Sequence, residues 1–97
     1  MFALVTTIRG TPGRHKRPDI ERARAAVRSS PDFKGILVLR DRQDAESVSI
    51  TLWETEEAAN ASRQPGSPLA QIHDAVTAAE GATAPLPSKI YEVVVEA

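Results

Sequence analysis

Apolar and polar positions alternate from the first residues: Phe2, Leu4, Thr6 and Ile8 fall on one side of an extended chain and Ala3, Val5 and Thr7 on the other. The β-branched content favours a strand there. Gly10-Thr11-Pro12-Gly13 breaks the pattern, and a basic loop, Arg14-His15-Lys16-Arg17, leads to Pro18. From Asp19 the spacing changes to that of a helix, with Ile20, Ala23 and Val27 on one stripe until Ser29-Ser30-Pro31 ends it. Pro18 and Asp19 suit its first turn, where an N–H is left unpaired and the dipole favours an acid. Phe33 to Arg40 carries Phe33, Leu37 and Leu39 on one face and Ile36 and Val38 on the other. Two apolar faces predict a strand covered on both sides.

Asp41 to Ala45 is a polar turn, followed by the cleanest two-residue period in the chain: Val48, Ile50 and Leu52 against Ser47, Ser49, Thr51 and Trp53. These two strands predict an antiparallel hairpin. Thr55 before Glu56-Glu57-Ala58-Ala59 is an N-cap with acids in the first turn. Gln64-Pro65-Gly66 interrupts that helix and Ser67-Pro68 restarts it. Leu69, Ile72, Val76 and Ala79 then form a stripe with His73 beside it, up to Gly81, a residue suited to a left-handed helix end. A proline-containing connector reaches a last strand, Lys89 to Val95. The order is β-α-β-β-α-β, the split βαβ arrangement, an α+β ferredoxin-like fold around a four-stranded antiparallel sheet.

Ninety-seven residues, 41% apolar and 26% charged, predict one domain, residues 1–97, built on one hydrophobic core. The absence of cysteine excludes disulfides, thiolate nucleophiles and Cys-ligated metals. No run approaches the roughly 20 apolar residues of a membrane span, and no secretory leader precedes the first strand, so a cytoplasmic protein without a membrane partner is expected. The net charge of -1 conceals halves of opposite sign: residues 1 to 42 hold ten of the twelve Lys and Arg. In a compact fold such halves meet across the surface, and nucleic acid is not an expected partner.

Pro31-Asp32-Phe33-Lys34-Gly35, Leu52-Trp53-Glu54-Thr55-Glu56-Glu57-Ala58 and Tyr91-Glu92-Val93 together resemble the antibiotic-biosynthesis-monooxygenase-like family over about Leu4 to Val95. These motifs are scaffold features and bear on fold more than on chemistry. The resemblance implies a homodimeric α+β barrel. A bare sheet face carrying apolar residues argues for the same assembly, because a patch of that kind calls for a cover.

The resemblance also implies a small hydrophobic, aromatic ligand and, as the leading activity, monooxygenation without a cofactor. By residue type, His73, Trp53, Asn60 and Tyr91 are the catalytic candidates, and Arg40, Thr7, Ser49 and Thr51 the ligand-binding ones. Haem is the alternative, with His73 as axial ligand in Pro68-Leu69-Ala70-Gln71-Ile72-His73. Haem-degrading relatives also use an asparagine where this chain has Thr6 or Thr7, and a tryptophan where Ala61 and Ser62 stand. A third reading is a non-catalytic ligand-binding or dimerisation module.

Against each functional candidate stands a packing role: His73 as a helix-edge residue, Trp53 and Tyr91 as aromatic filling. The loop from Arg9 to Arg17 could clamp an anion, yet it lacks the phosphate-loop spacing. His15 and His73 lie on separate elements, so no metal site is expected. No serine shows a recognisable base beside it, which argues against hydrolase chemistry.

Overall fold

The computed structural model describes residues 1–9, 21–41, 43, 46–80 and 88–95. The basic loop, the start of the first helix at Pro18 and Asp19, and the cap at Gly81 lie outside the described residues. Within them the order is β1 (Phe2–Arg9), α1 (Glu21–Arg28), β2 (Phe33–Arg40), β3 (Glu46–Trp53), α2 (Glu56–Ser62), α3 (Pro68–Glu80) and β4 (Lys89–Glu92). The expected order is met, with the last strand shorter than the alternation to Val95 suggests.

The four strands form one antiparallel sheet in the order β2-β3-β1-β4. Helices cover one face. Leu4 and Ile8 of β1 and Trp53 of β3 join Ala23 and Val27 of α1, Ala59 of α2 and Leu69, Ile72 and Val76 of α3 in the core. Register fixes the remaining side chains. Leu4 stands opposite Thr51, Thr6 opposite Ser49 and Ile8 opposite Ser47, so the face of β3 beneath the helices carries Ser47, Ser49, Thr51 and Trp53, all buried. Val48, Ile50 and Leu52 point to the open face and are only half-buried. A strand with one covered face normally turns its apolar set inward. Here the hydroxyls are inward and the aliphatic set outward.

The open face continues onto both sheet edges. On β2, Leu37 is 61% and Leu39 51% exposed, so this edge strand is not covered on both sides within one chain, contrary to its two apolar faces. On β4, Tyr91 is half-exposed beside Ala3. A register shift between Phe33 and Gly35 corrects the expected grouping of Phe33 with Leu37 and Leu39. The extra residue places Phe33 opposite Trp53, where the rings meet edge to face with centroids 5.5 Å apart. Asp32 enters this bulge with φ 64, a conformation Asp tolerates, and its carbonyl accepts from the Glu54 N–H at 2.8 Å.

The two expected helix starts form as the sequence implies. The Thr55 hydroxyl accepts from the Ala58 N–H at 3.1 Å, and the Ser67 hydroxyl accepts from the Ala70 N–H at 3.1 Å. Ser67 also donates to the Ser62 carbonyl at 2.7 Å, tying the end of α2 to the start of α3. Gly66, with φ 81, makes the left-handed turn between them.

A candidate ligand site between helices and sheet

The inward hydroxyls of the sheet need partners, since an unpaired buried polar group costs about 1–3 kcal/mol. Most find one. His73, on the inner side of α3 and 8% exposed, places its Nε2 2.9 Å from the Ser49 hydroxyl. Thr6, opposite Ser49 in the register, pairs its hydroxyl with Ser88 at 2.8 Å. The Trp53 indole N–H donates to the Thr51 hydroxyl at 2.9 Å. Ser47 and Thr77 retain buried hydroxyls without a partner among the described residues.

Burial holds the His73 pKa below its ordinary value, and the neighbouring Asp74 carboxylate only partly offsets it. The ring is therefore neutral near pH 7, able to accept a proton through one nitrogen. Its hydrogen bond to Ser49 corrects the expectation that no serine has a base beside it. Ser49 and His73 are 24 positions apart on different elements, so no local motif could announce the pair.

Two cavities flank this polar interior. One, about 150 Å³, is bordered by His73, Thr6, Arg63, Asp74 and Ser88. The other, about 380 Å³ and mostly apolar, is walled by Val27, Trp53, Ala58, Ala61 and Leu69. Its volume falls within the roughly 300–1,000 Å³ of small-molecule sites. The buried Ser62, donating to the Ala59 carbonyl at 2.6 Å, borders both. Arg63 is held at the smaller opening by a 3.3 Å bond to the Ser88 carbonyl.

The expected site residues separate into two groups. His73, Ser49, Thr51 and Trp53 share the helix-covered interior. Asn60 is exposed on α2 and borders neither cavity. Thr7 and Tyr91 belong to the open face, opposite Val48 and Ala3. Arg40 lies at the far end of β2, opposite Ser47. Sequence reasoning missed Arg63, Asp74 and Ser88. Asp74, adjacent to His73, was the one with a signal, since it sits one residue along an amphipathic helix; Arg63 and Ser88 are positioned by tertiary contact alone.

The candidate axial nitrogen for a haem, Nε2 of His73, is bonded to Ser49 at 2.9 Å, and the cavity beside the ring measures about 150 Å³. No group of three or more His, Asp or Glu converges among the described residues in a way that would hold a metal ion.

The β-α-β-β-α-β connectivity and four-stranded antiparallel sheet of this chain match the α+β ferredoxin-like fold of antibiotic-biosynthesis-monooxygenase-like structures. Among solved structures, the chain is similar to a monooxygenase from the ActVA-Orf6 gene of Streptomyces coelicolor in complex with Nanaomycin D. That match has 15% identity and a TM-score of 0.64 and covers 99% of this chain and 92% of the other. It is also similar to candidate antibiotic biosynthesis monooxygenases of Chloroflexus aurantiacus J-10-fl and Deinococcus radiodurans. The former is 19% identical, with a TM-score of 0.59 over 99% of this chain and 95% of that one. The latter is 18% identical, with a TM-score of 0.56 over 100% and 96%. No protein-family model matches the sequence, and no curated protein matches it. At these identities the likeness defines the fold, and function rests on the site.

Proposed function

We propose that this chain binds a hydrophobic aromatic compound in the helix-covered cavities of each protomer of a homodimer, and oxygenates it without a cofactor. The observation that carries the reading is the neutral, buried His73, fixed by Ser49 at 2.9 Å and bordering a cavity that shares Ser62 with the apolar space around Trp53. The Streptomyces coelicolor structure with a bound Nanaomycin D supports an aromatic ligand class.

A substrate of the anthrone type matches this chemistry. His73 accepts a proton from the acidic C–H or phenol, and the resulting electron-rich anion can itself reduce dioxygen. A CH2 group becomes C=O, one oxygen atom enters the substrate and the other leaves as water with the two hydrogens of the CH2. Substrate supplies all four electrons. Arg63 at the cavity mouth offers a cation to the transient anion, the electrostatic assistance a low-dielectric site strengthens.

Dimerisation would cover the open face, where Leu37, Leu39, Val48, Ile50 and Leu52 form an aliphatic surface. No helix among the described residues is long and apolar enough to cross a membrane, and a cytoplasmic setting, where aromatic intermediates are handled, is part of the proposal.

Oxygen uptake tests the reading with 1,8-dihydroxyanthrone first, then a panel of anthrones and hydroquinones. The expected result is one O2 consumed per quinone formed, with the rate falling about a hundredfold in His73→Gln, as for loss of a general base. No uptake above the protein-free rate with any compound would overturn the oxygenase reading and favour a non-catalytic binding module.

A further inference from the structure

A second space lies away from His73, beneath the edge strand β2. One cavity of about 210 Å³ is walled by Val38, Arg40, Ser47 and Val76. Another, about 190 Å³, is walled by Arg24, Ile36, Val38 and Ile72. Val38 borders both, so they adjoin along β2. Ile36, Val38 and Arg40 occupy alternate positions of the strand and therefore one face, spanning about 13 Å at 3.3 Å per residue. Ile72 and Val76, one helical turn apart on α3, form the opposite wall. The result is an aliphatic groove with a guanidinium at each end.

Polar chemistry is concentrated at one of those ends. Arg40 and Ser47 are direct cross-strand partners, which brings their Cβ atoms to about 5 Å. Ser47 is 1% exposed, and its hydroxyl has no hydrogen-bond partner among the described residues. Ser47 and Arg40 both border the same cavity. An orphaned buried donor costs about 1–3 kcal/mol, a cost that an acceptor atom placed in the cavity would offset. Arg40 has an interaction of its own, and a guanidinium with five N–H donors can serve a second acceptor.

We infer that this groove is a binding site for a small amphipathic carboxylate, with the acid group held by Arg40 and Ser47 and the apolar body lying along Val38, Val76, Ile36 and Ile72. The pairing is chemical: a planar carboxylate takes two N–H donors from a guanidinium and one O–H from a serine. Arg24, at the other end, is 44% exposed and linked to Glu21 at 3.9 Å, so the acid group belongs at the Arg40 end, where the buried hydroxyl is. Among the described residues, this site shares no wall residue with the two cavities around His73 and Trp53, and its test is independent of the oxygenase reading.

2-Naphthoate is the probe, with 2-naphthamide as its neutral counterpart, and binding is followed by two-dimensional NMR of the full chain. Naphthoate is expected to shift the signals of Val38, Ser47 and Val76 in a saturable manner, with naphthamide bound about tenfold more weakly. Arg40→Gln should weaken naphthoate about tenfold. Ser47→Ala should weaken it less, about threefold, while keeping the dispersed spectrum of a folded chain. Equal affinity for acid and amide, an unchanged affinity in Arg40→Gln, or shifts confined to the walls around Trp53 would each overturn the inference.

Discussion

Burial of the His73 ring sets its charge state, and through it part of the pH response of the fold. In the unfolded chain the imidazole titrates near its ordinary value of about 6.5, whereas in the folded chain burial depresses it. Well above pH 6.5 neither state binds the proton and the ring adds no pH dependence. As pH falls through that value the unfolded chain takes up a proton that the folded chain resists, so stability declines until the folded pKa is reached. The urea midpoint should therefore fall between pH 7.5 and 5.5, and fall less in His73→Gln. Identical pH profiles for the two proteins would show that the ring is not held neutral. Trp53 makes a separate residue-scale prediction. It is 3% exposed and packed on Phe33, so Trp53→Ala should cost about 3–5 kcal/mol in denaturant unfolding. Trp53→Phe should cost less, because most of the aromatic packing is kept while the bond to Thr51 and part of the ring volume are lost. Of the residue-scale features, the identities of His73 and Trp53 stand out in the sequence. Ser49 and Thr51 stand out by type, but their bonds to His73 and Trp53 do not, and Ser88 looks like any loop serine until tertiary contact brings it beside Thr6.

Among the elements, the chain between β3 and α3 shows how local chemistry shapes the site. Thr55 caps α2, Ser67 caps α3 and also ties back to Ser62, and Gly66 turns between them. Together these bonds fix the wall that Ala58, Ser62 and Leu69 present to the larger cavity. Thr55→Ala should lower stability by about 1 kcal/mol. Ser67→Ala should lower it at least as much, since it removes a donor as well as a cap, and thermal melts that leave both variants at the wild-type temperature would contradict these roles. Caps and turns of this kind are legible in sequence because they depend on a few neighbouring residues. The alternation of β3 is equally legible, but which of its faces meets the helices is not. Period two assigns residues to two sides without naming the covered one, and the usual rule would have chosen Val48, Ile50 and Leu52. The bulge at Lys34 hides for a related reason: its one extra residue shifts Phe33 to the Trp53 side without changing composition.

For the whole molecule, the inverted β3 has a direct consequence. Hydroxyls placed inward create a polar, hydrogen-bonded interior suited to a ligand, and aliphatic residues placed outward leave a face that a second sheet would cover. Both properties come from the same alternation, so the cavity and the proposed dimer are linked through one strand. A charge at the centre of that face should separate them: Ile50→Asp is expected to give a monomer by sedimentation, whereas a substitution on the helix layer such as Arg28→Ala should leave the assembly unchanged. The β-α-β-β-α-β order and the pairing of β2 with β3 are readable from spacing and breakers, and the covering of β2 on both sides, which its sequence suggests, would be met only in such a dimer.

Native mass spectrometry of the chain titrated with 1,8-dihydroxyanthraquinone, the product expected from the anthrone, reads subunit number and ligand number together. A ligand-binding homodimer gives a principal species at twice the 10.5 kDa of one chain, moving up by two ligand masses at saturation, one per protomer. A monomer, or a dimer that takes up no ligand, would contradict that reading.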